Sequence, residues 1–211
     1  MRKALILMIL AIICCKNIEI KDIDFIIPNK NEFYFPFNEN NNIKIENSLS
    51  KFTNKWYSEN LQSMNEPIIY NLKEKNIEIY RLTILPTFDK PFTYRISKYN
   101  NKINIIFKET NGTGGYETGK LIENKIKLVK EKNWRNLESK LSKIDFWKMK
   151  TFSDSMKIKD GSEWILEGYK NGNYHFVTRT SPDAYQFNEI DKEFGFFLNY
   201  FKKFSKTTQK H

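Results

Sequence analysis

The chain has 211 residues, 35 Lys and Arg against 25 Asp and Glu for a formal charge of +10, and an aromatic content of 15%. That length supports one domain with its own core, and the aromatic content excludes a disordered chain. Thirty of the basic residues are Lys, interspersed with Glu, so no basic stripe marks a nucleic-acid surface.

Residues 4–15 (ALILMILAIICC) follow Arg2 and Lys3 without a charge. As a helix these twelve residues reach about 18 Å at roughly 1.5 Å each, short of a hydrocarbon core about 30 Å thick. A basic start and a short apolar run read as an export signal rather than a spanning anchor; the alternative is a buried first strand or helix of a cytoplasmic protein. The run ends Ile12-Ile13-Cys14-Cys15 and resembles a bacterial lipobox, with Ile13 where Ser, Ala or Thr is commoner. Cys15 is the expected lipidation site and Cys14 the alternative. Cleavage before Cys15 lowers the charge to +8 by removing Arg2 and Lys3. Several acyl chains would hold the protein on a membrane stably, where one would not. Lys16 is not the Asp associated with inner-membrane retention, so the expected location is the cell envelope, with the outer membrane favoured.

Both cysteines fall in this segment, which leaves the remainder without a disulfide, thiolate metal site or thiol nucleophile. His175 and His211 are the only histidines, so a multi-histidine metal site is excluded within one chain. No metal and no cofactor are expected. The reading divides the chain into a signal peptide (1–14), an Asn/Lys-rich tether (15–47), a single domain (48–206) and a tail (207–211). Phe33, Tyr34, Phe35 and Phe37 are the tether residues suited to dock on the domain.

Ser48 or Ser50 is placed to cap a helix reaching about Met64, with Leu49, Phe52 and Trp56 at helical spacing, and Pro67 stops it. A strand follows over 78–85. Asn100-Asn101 then predicts a tight hairpin with Tyr99 opposite Lys102. In that register Tyr94, Ile96, Ile103, Ile105 and Phe107 share a core face. Thr93, Arg95, Ser97, Asn104 and Lys108 share the other, expected to be wet or ligand-facing. Residues 120–130 supply another strand. Asn133 is placed to cap a helix with Trp134, Leu137, Leu141 and Ile144 as its apolar stripe. A second hairpin, 163–169 and 174–180, turns at Asn171-Gly172, and a helix from about Asp191 carries Phe194, Phe197, Leu198, Phe201 and Phe204 at helical spacing. The expected fold is α+β: an antiparallel sheet of about six to seven strands with helices packed on one face.

Two regions invite a functional reading. Gly112, Gly114, Gly115 and Tyr116 lie in a loop whose successive N–H groups could cradle a phosphate, but a strand follows it where nucleotide-binding loops need a helix; a purely structural loop is the alternative. The second hairpin gathers Trp164, His175 and Arg179. Its register sets His175 opposite Gly168 and Arg179 opposite Trp164, and turns Glu163 and Glu167 to the other side, which excludes a Glu167–His175 acid-base pair. In a chain so biased to Lys, an Arg suggests a place where a planar fork of donors matters. Arg81, Arg95 and Arg179, with Trp164 and His175, are therefore the ligand-binding candidates; internal bridges from the arginines to Glu163 or Glu167 are the alternative.

The strands Trp164-Ile165-Leu166-Glu167-Gly168 and Tyr174-His175-Phe176-Val177-Thr178-Arg179-Thr180-Ser181-Pro182 carry a resemblance. With Tyr80-Arg81-Leu82, Gly112 to Tyr116 and Phe146-Trp147, they resemble a family of uncharacterised bacterial envelope lipoproteins with W-x-L-E-G and Y-H-x-V-x-R-x-S-P strands, over about residues 50–204. The resemblance implies a common fold and transfers no catalytic role; the family pattern has an aromatic residue where Thr180 stands.

Three functions are carried forward: a non-catalytic, monomeric envelope module that binds a protein partner or ligand through the face bearing Arg95 or Arg179; an immunity-type lipoprotein that neutralises a periplasm-acting toxin; and a hydrolase or lyase using His175 with an arginine-held anion.

Overall fold

The computed structural model describes residues 25, 27–29, 32–37, 49–152, 160–183 and 189–206. One antiparallel sheet forms the centre. Its strands, in chain order, are β1 (Ile77–Pro86), β2 (Phe92–Tyr99), β3 (Lys102–Thr110), β4 (Leu121–Leu128), β5 (Ser162–Lys170) and β6 (Asn173–Thr180). In space they run β4-β3-β2-β1-β5-β6, so β1 lies in the middle, flanked by β2 and by β5, whose sequence lies some eighty residues further on. Both hairpin registers are as the sequence predicts. Asn100 and Asn101 adopt positive φ and set Tyr99 opposite Lys102; Asn171 and Gly172 do the same for Lys170 and Asn173.

One sheet face packs on α2 (Glu131–Lys143) and α3 (Glu189–Lys206). Trp134, Leu137 and Leu141 of α2 and Phe194, Phe197 and Phe201 of α3 meet Tyr80, Leu82, Tyr94, Ile96, Ile105, Leu166 and Val177 in the main core. A 3-10 turn at Phe146–Lys148 closes it. The expected cap is displaced: Lys130 occupies the cap position, with no side-chain bond, and Asn133 lies inside the first turn. The side chain of Phe204 lies outside the described residues.

The other face is also covered, which corrects the expectation that helices pack on one face only. Here α1 (Lys51–Ser63) brings Tyr57 and Leu61 against Leu85, Ile165 and Phe176, together with Tyr34 and Phe35 from upstream. Tyr34 and Phe35 are fully buried, so part of the segment read as tether belongs to the core. Ser50 caps α1, accepting a hydrogen bond from Thr53 N. Of the expected Leu49, Phe52 and Trp56, Leu49 is buried in this core and Trp56 packs against it, but Phe52 is 79% exposed, and the helix buries Asn54, Tyr57, Ser58, Asn60 and Leu61. The reason is polar docking: Asn54 Nδ2 donates to Phe35 O, and Ser58 Oγ accepts from Tyr34 N.

Candidate functional site

Arg81 and Arg95 stand opposite each other on β1 and β2, with Glu167 of β5 across from Arg81. Their face is buried, not wet. Arg81 donates Nε and Nη2 to the two Glu167 oxygens at 2.6 and 2.8 Å, and Nη1 to Pro67 O at 2.7 Å. Arg95 Nε donates to Glu66 Oε2 at 2.8 Å, and Lys108 Nζ lies 2.9 Å from Glu66 Oε1. Arg81 Nη1 lies 3.4 Å from Glu66, so one carboxylate faces three cations. The rings of Tyr34 and Phe25 lie against Arg81 and Arg95, at 5.9 and 4.9 Å from the guanidinium carbons.

Local structure delivers Glu66 to this place. Asn65 takes the left-handed conformation just past α1; its N–H bonds Gln62 O while Glu66 N–H bonds Leu61 O, the two closures of a Schellman cap. The chain turns inward there, and Lys108 Nζ donates to Asn65 O. Burial alone would raise the Glu66 carboxyl; Arg95, Lys108 and Arg81 outweigh it and hold it down to about 2. At Glu167 burial prevails and pushes the carboxyl up, against the pull of Arg81 and the Tyr174 hydroxyl, which donates at 3.0 Å. Burial opposes the charge on Arg81, but Glu167 and Glu66 overcome it and keep the guanidinium firmly protonated.

Trp164, His175 and Arg179 share the opposite face, toward α2 and α3, so the five candidates do not converge on one concavity. Of the two proposed bridges, the one to Glu167 is formed by Arg81. Trp164 is buried and donates Nε1 to Ser162 Oγ. Arg179 does face Trp164 across the strand pair, yet its guanidinium lies over Phe194, 5.8 Å from the ring centre, and its Nη1 donates to the carbonyls of Thr178, Thr151 and Lys150. His175 is half-buried between Phe146 and Trp147, and its Nε2–H donates to Met149 O at 3.1 Å. Burial, helped by Arg179, lowers its pKa, so the ring is neutral at pH 7. The space that Gly168 leaves opposite His175 is filled: a Cβ on Gly168 would come within 2.5 Å of the Phe146 ring. Thr180 donates Oγ1 to Glu163, whose other oxygen accepts from Tyr57.

The loop 111–119 directs its backbone donors inward. Gly114 N donates to Asp89 O, and Tyr116 N and Glu117 N both donate to Thr113 O, so these groups are not offered to an anion. Gly112 and Gly114 are required by close approach: a Cβ would lie 2.1 Å from Glu117 O at the first and 2.7 Å from Pro86 O at the second. Gly115 packs against Thr87. Trp56 Nε1 pins the loop by donating to Gly114 O at 2.6 Å. Tyr116 is 71% exposed and stacks on Phe88.

Cys14 and Cys15 lie outside the described residues. Among the described residues no helix is long and apolar enough to cross a membrane, and no three His, Cys, Asp or Glu side chains are grouped to hold a metal ion. What the sequence did not signal is a recess of about 1070 Å³ beside the ion network, where residues 25, 27–29, 32 and 67–74 approach the ends of β1, β2 and β3. No protein-family model matches the chain, and no curated protein is significantly similar to it.

Proposed function

We propose that the chain is a lipid-anchored protein of the bacterial cell envelope, acylated at Cys15, whose folded part is a non-catalytic binding module. The observation that carries the anchor is the run Arg2-Lys3 followed by twelve uncharged residues ending in Cys14-Cys15. The W-x-L-E-G and Y-H-x-V-x-R-x-S-P strands, through their resemblance to envelope lipoproteins, support the same location.

Binding is favoured over catalysis by the way the chemical groups are used. A hydrolase built on His175 needs an anion site within reach. Arg81 and Arg95 lie behind the sheet, and Arg179 is four residues along β6, about 13 Å at roughly 3.3 Å per residue, with its donors committed to backbone carbonyls. The Arg95 face, which the sequence suggested as the binding surface, contributes instead through the recess at its border.

Labelling with a palmitate analogue and membrane fractionation test the anchor. Wild type is expected in membranes with label. Cys15→Ala should lose the label and become soluble. Label that survives there and disappears in Cys14→Ala moves the site by one residue, and an unlabelled wild type overturns the proposal.

A further inference from the structure

The recess beside the ion network has the size of a small-molecule site, at about 1070 Å³. At its inner wall stands Ser97 of β2, 1% exposed, whose hydroxyl has no hydrogen-bond partner among the described residues. A buried hydroxyl without a partner costs free energy that a ligand can return. Ser97 pairs across the strands with Asn104, which lines the same recess.

The lining specifies a chemical class. Among the described residues its charges balance, Lys73 and Lys102 against Glu32 and Glu74, which suits a neutral ligand. Its other polar side chains include the amides of Asn29, Asn71 and Asn100, each able to donate and accept at once. The apolar part comprises the rings of Phe25 and Tyr99 and aliphatic side chains such as Leu72 and Ile77. Paired amides and a hydroxyl suit adjacent hydroxyl groups, and rings suit a flat C–H face. We infer that the recess bordered by residues 25, 27–29, 32, 67–74 and the β1–β3 ends binds a neutral saccharide of one or two units, with Ser97 hydrogen-bonded to it. This rests on the binding-module reading and names its ligand class; it does not depend on the anchor.

Equilibrium dialysis of the full chain in detergent, with labelled N,N′-diacetylchitobiose as the neutral probe and hexanoate as the anionic one, tests the inference. Saturable binding of the disaccharide and none of hexanoate is expected. Ser97→Ala should weaken that binding about threefold to tenfold, the worth of one hydrogen bond, while leaving thermal stability equal or higher, because it removes an unsatisfied buried group. Asn71→Trp, at an exposed rim position, should abolish binding. Absent disaccharide binding, tighter hexanoate binding, or affinity unchanged in both variants overturns the inference, and none of these results alters the palmitate experiment.

Discussion

Arg81 and Glu167 face each other across β1 and β5, 86 residues apart in sequence, joined by two parallel hydrogen bonds at 2.6 and 2.8 Å with both side chains fully buried. Such a pair is costly to break because the survivor is left charged and without water. Glu167→Gln should therefore destabilise the fold by about 3–5 kcal/mol. The double change Arg81→Met with Glu167→Leu should recover most of that loss, since apolar replacements of similar volume leave no buried charge. Urea unfolding of the two variants and wild type measures both effects.

Gly168 is a packing requirement with a named cause. A Cβ there meets Phe146 Cε1 at 2.5 Å and Tyr80 Cε1 at 3.0 Å, both on rings held in the core. Gly168→Ala is expected to cost about 1–3 kcal/mol by overpacking. Combining it with Phe146→Leu should give a loss smaller than the sum of the single changes, because the shortened side chain removes the clash; thermal denaturation of the four-protein cycle tests this.

Stability should fall as the solution is acidified below pH 4.5. Glu66 is held down to about 2 when folded, against 4.5 as its ordinary value. Its stabilisation is thus present above about pH 4.5 and lost as pH falls toward 2, worth about 3 kcal/mol over that window. Glu167 has the opposite sign: its raised carboxyl favours the fold below its ordinary value and loses that contribution as pH rises through the folded one. His175, lowered by burial, stabilises above about pH 6.5 and loses this as pH falls, so His175→Gln should flatten the slope between pH 7.5 and 5.5. Urea midpoints across pH 7.5 to 2.5 provide the measurement.

Trp56 should control the mobility of the loop 111–119 through its bond to Gly114 O. Trp56→Phe is expected to cost about 1 kcal/mol and to speed hydrogen exchange at Tyr116 and Glu117 while leaving amides of β1 protected. Exchange that quickens equally in both places would show that the indole supports the whole fold instead.

Local signals in the sequence were accurate where the determining contacts are themselves local. Asn100-Asn101 and Asn171-Gly172 set both turns and hence the opposition of His175 to Gly168 and of Arg179 to Trp164. Alternation on β2 and β3 also separated the two faces correctly. It left the polar one as wet or ligand-facing, whereas Thr93, Arg95, Ser97 and Lys108 are buried there, Arg95 and Lys108 against Glu66. Glu66 reaches Arg95 across 29 residues by way of a helix cap, and no spacing rule encodes that distance. The same blindness explains α1: Asn54 and Ser58 are buried because the backbone of Tyr34 and Phe35 seeks their side chains, a match that helical periodicity cannot show. The recess was missed for a related reason, since it lies between segments that only the fold brings together.

The docking of Phe25 sets a leash length. In a chain anchored at Cys15, only about 10 residues separate the lipid from Phe25, the first of the described residues and one packed on the domain, not the 33 of the whole segment 15–47. Fully drawn out at about 3.4 Å per residue they span roughly 35 Å. The domain would therefore patrol a thin shell next to its own membrane, and a partner would have to be found within that shell.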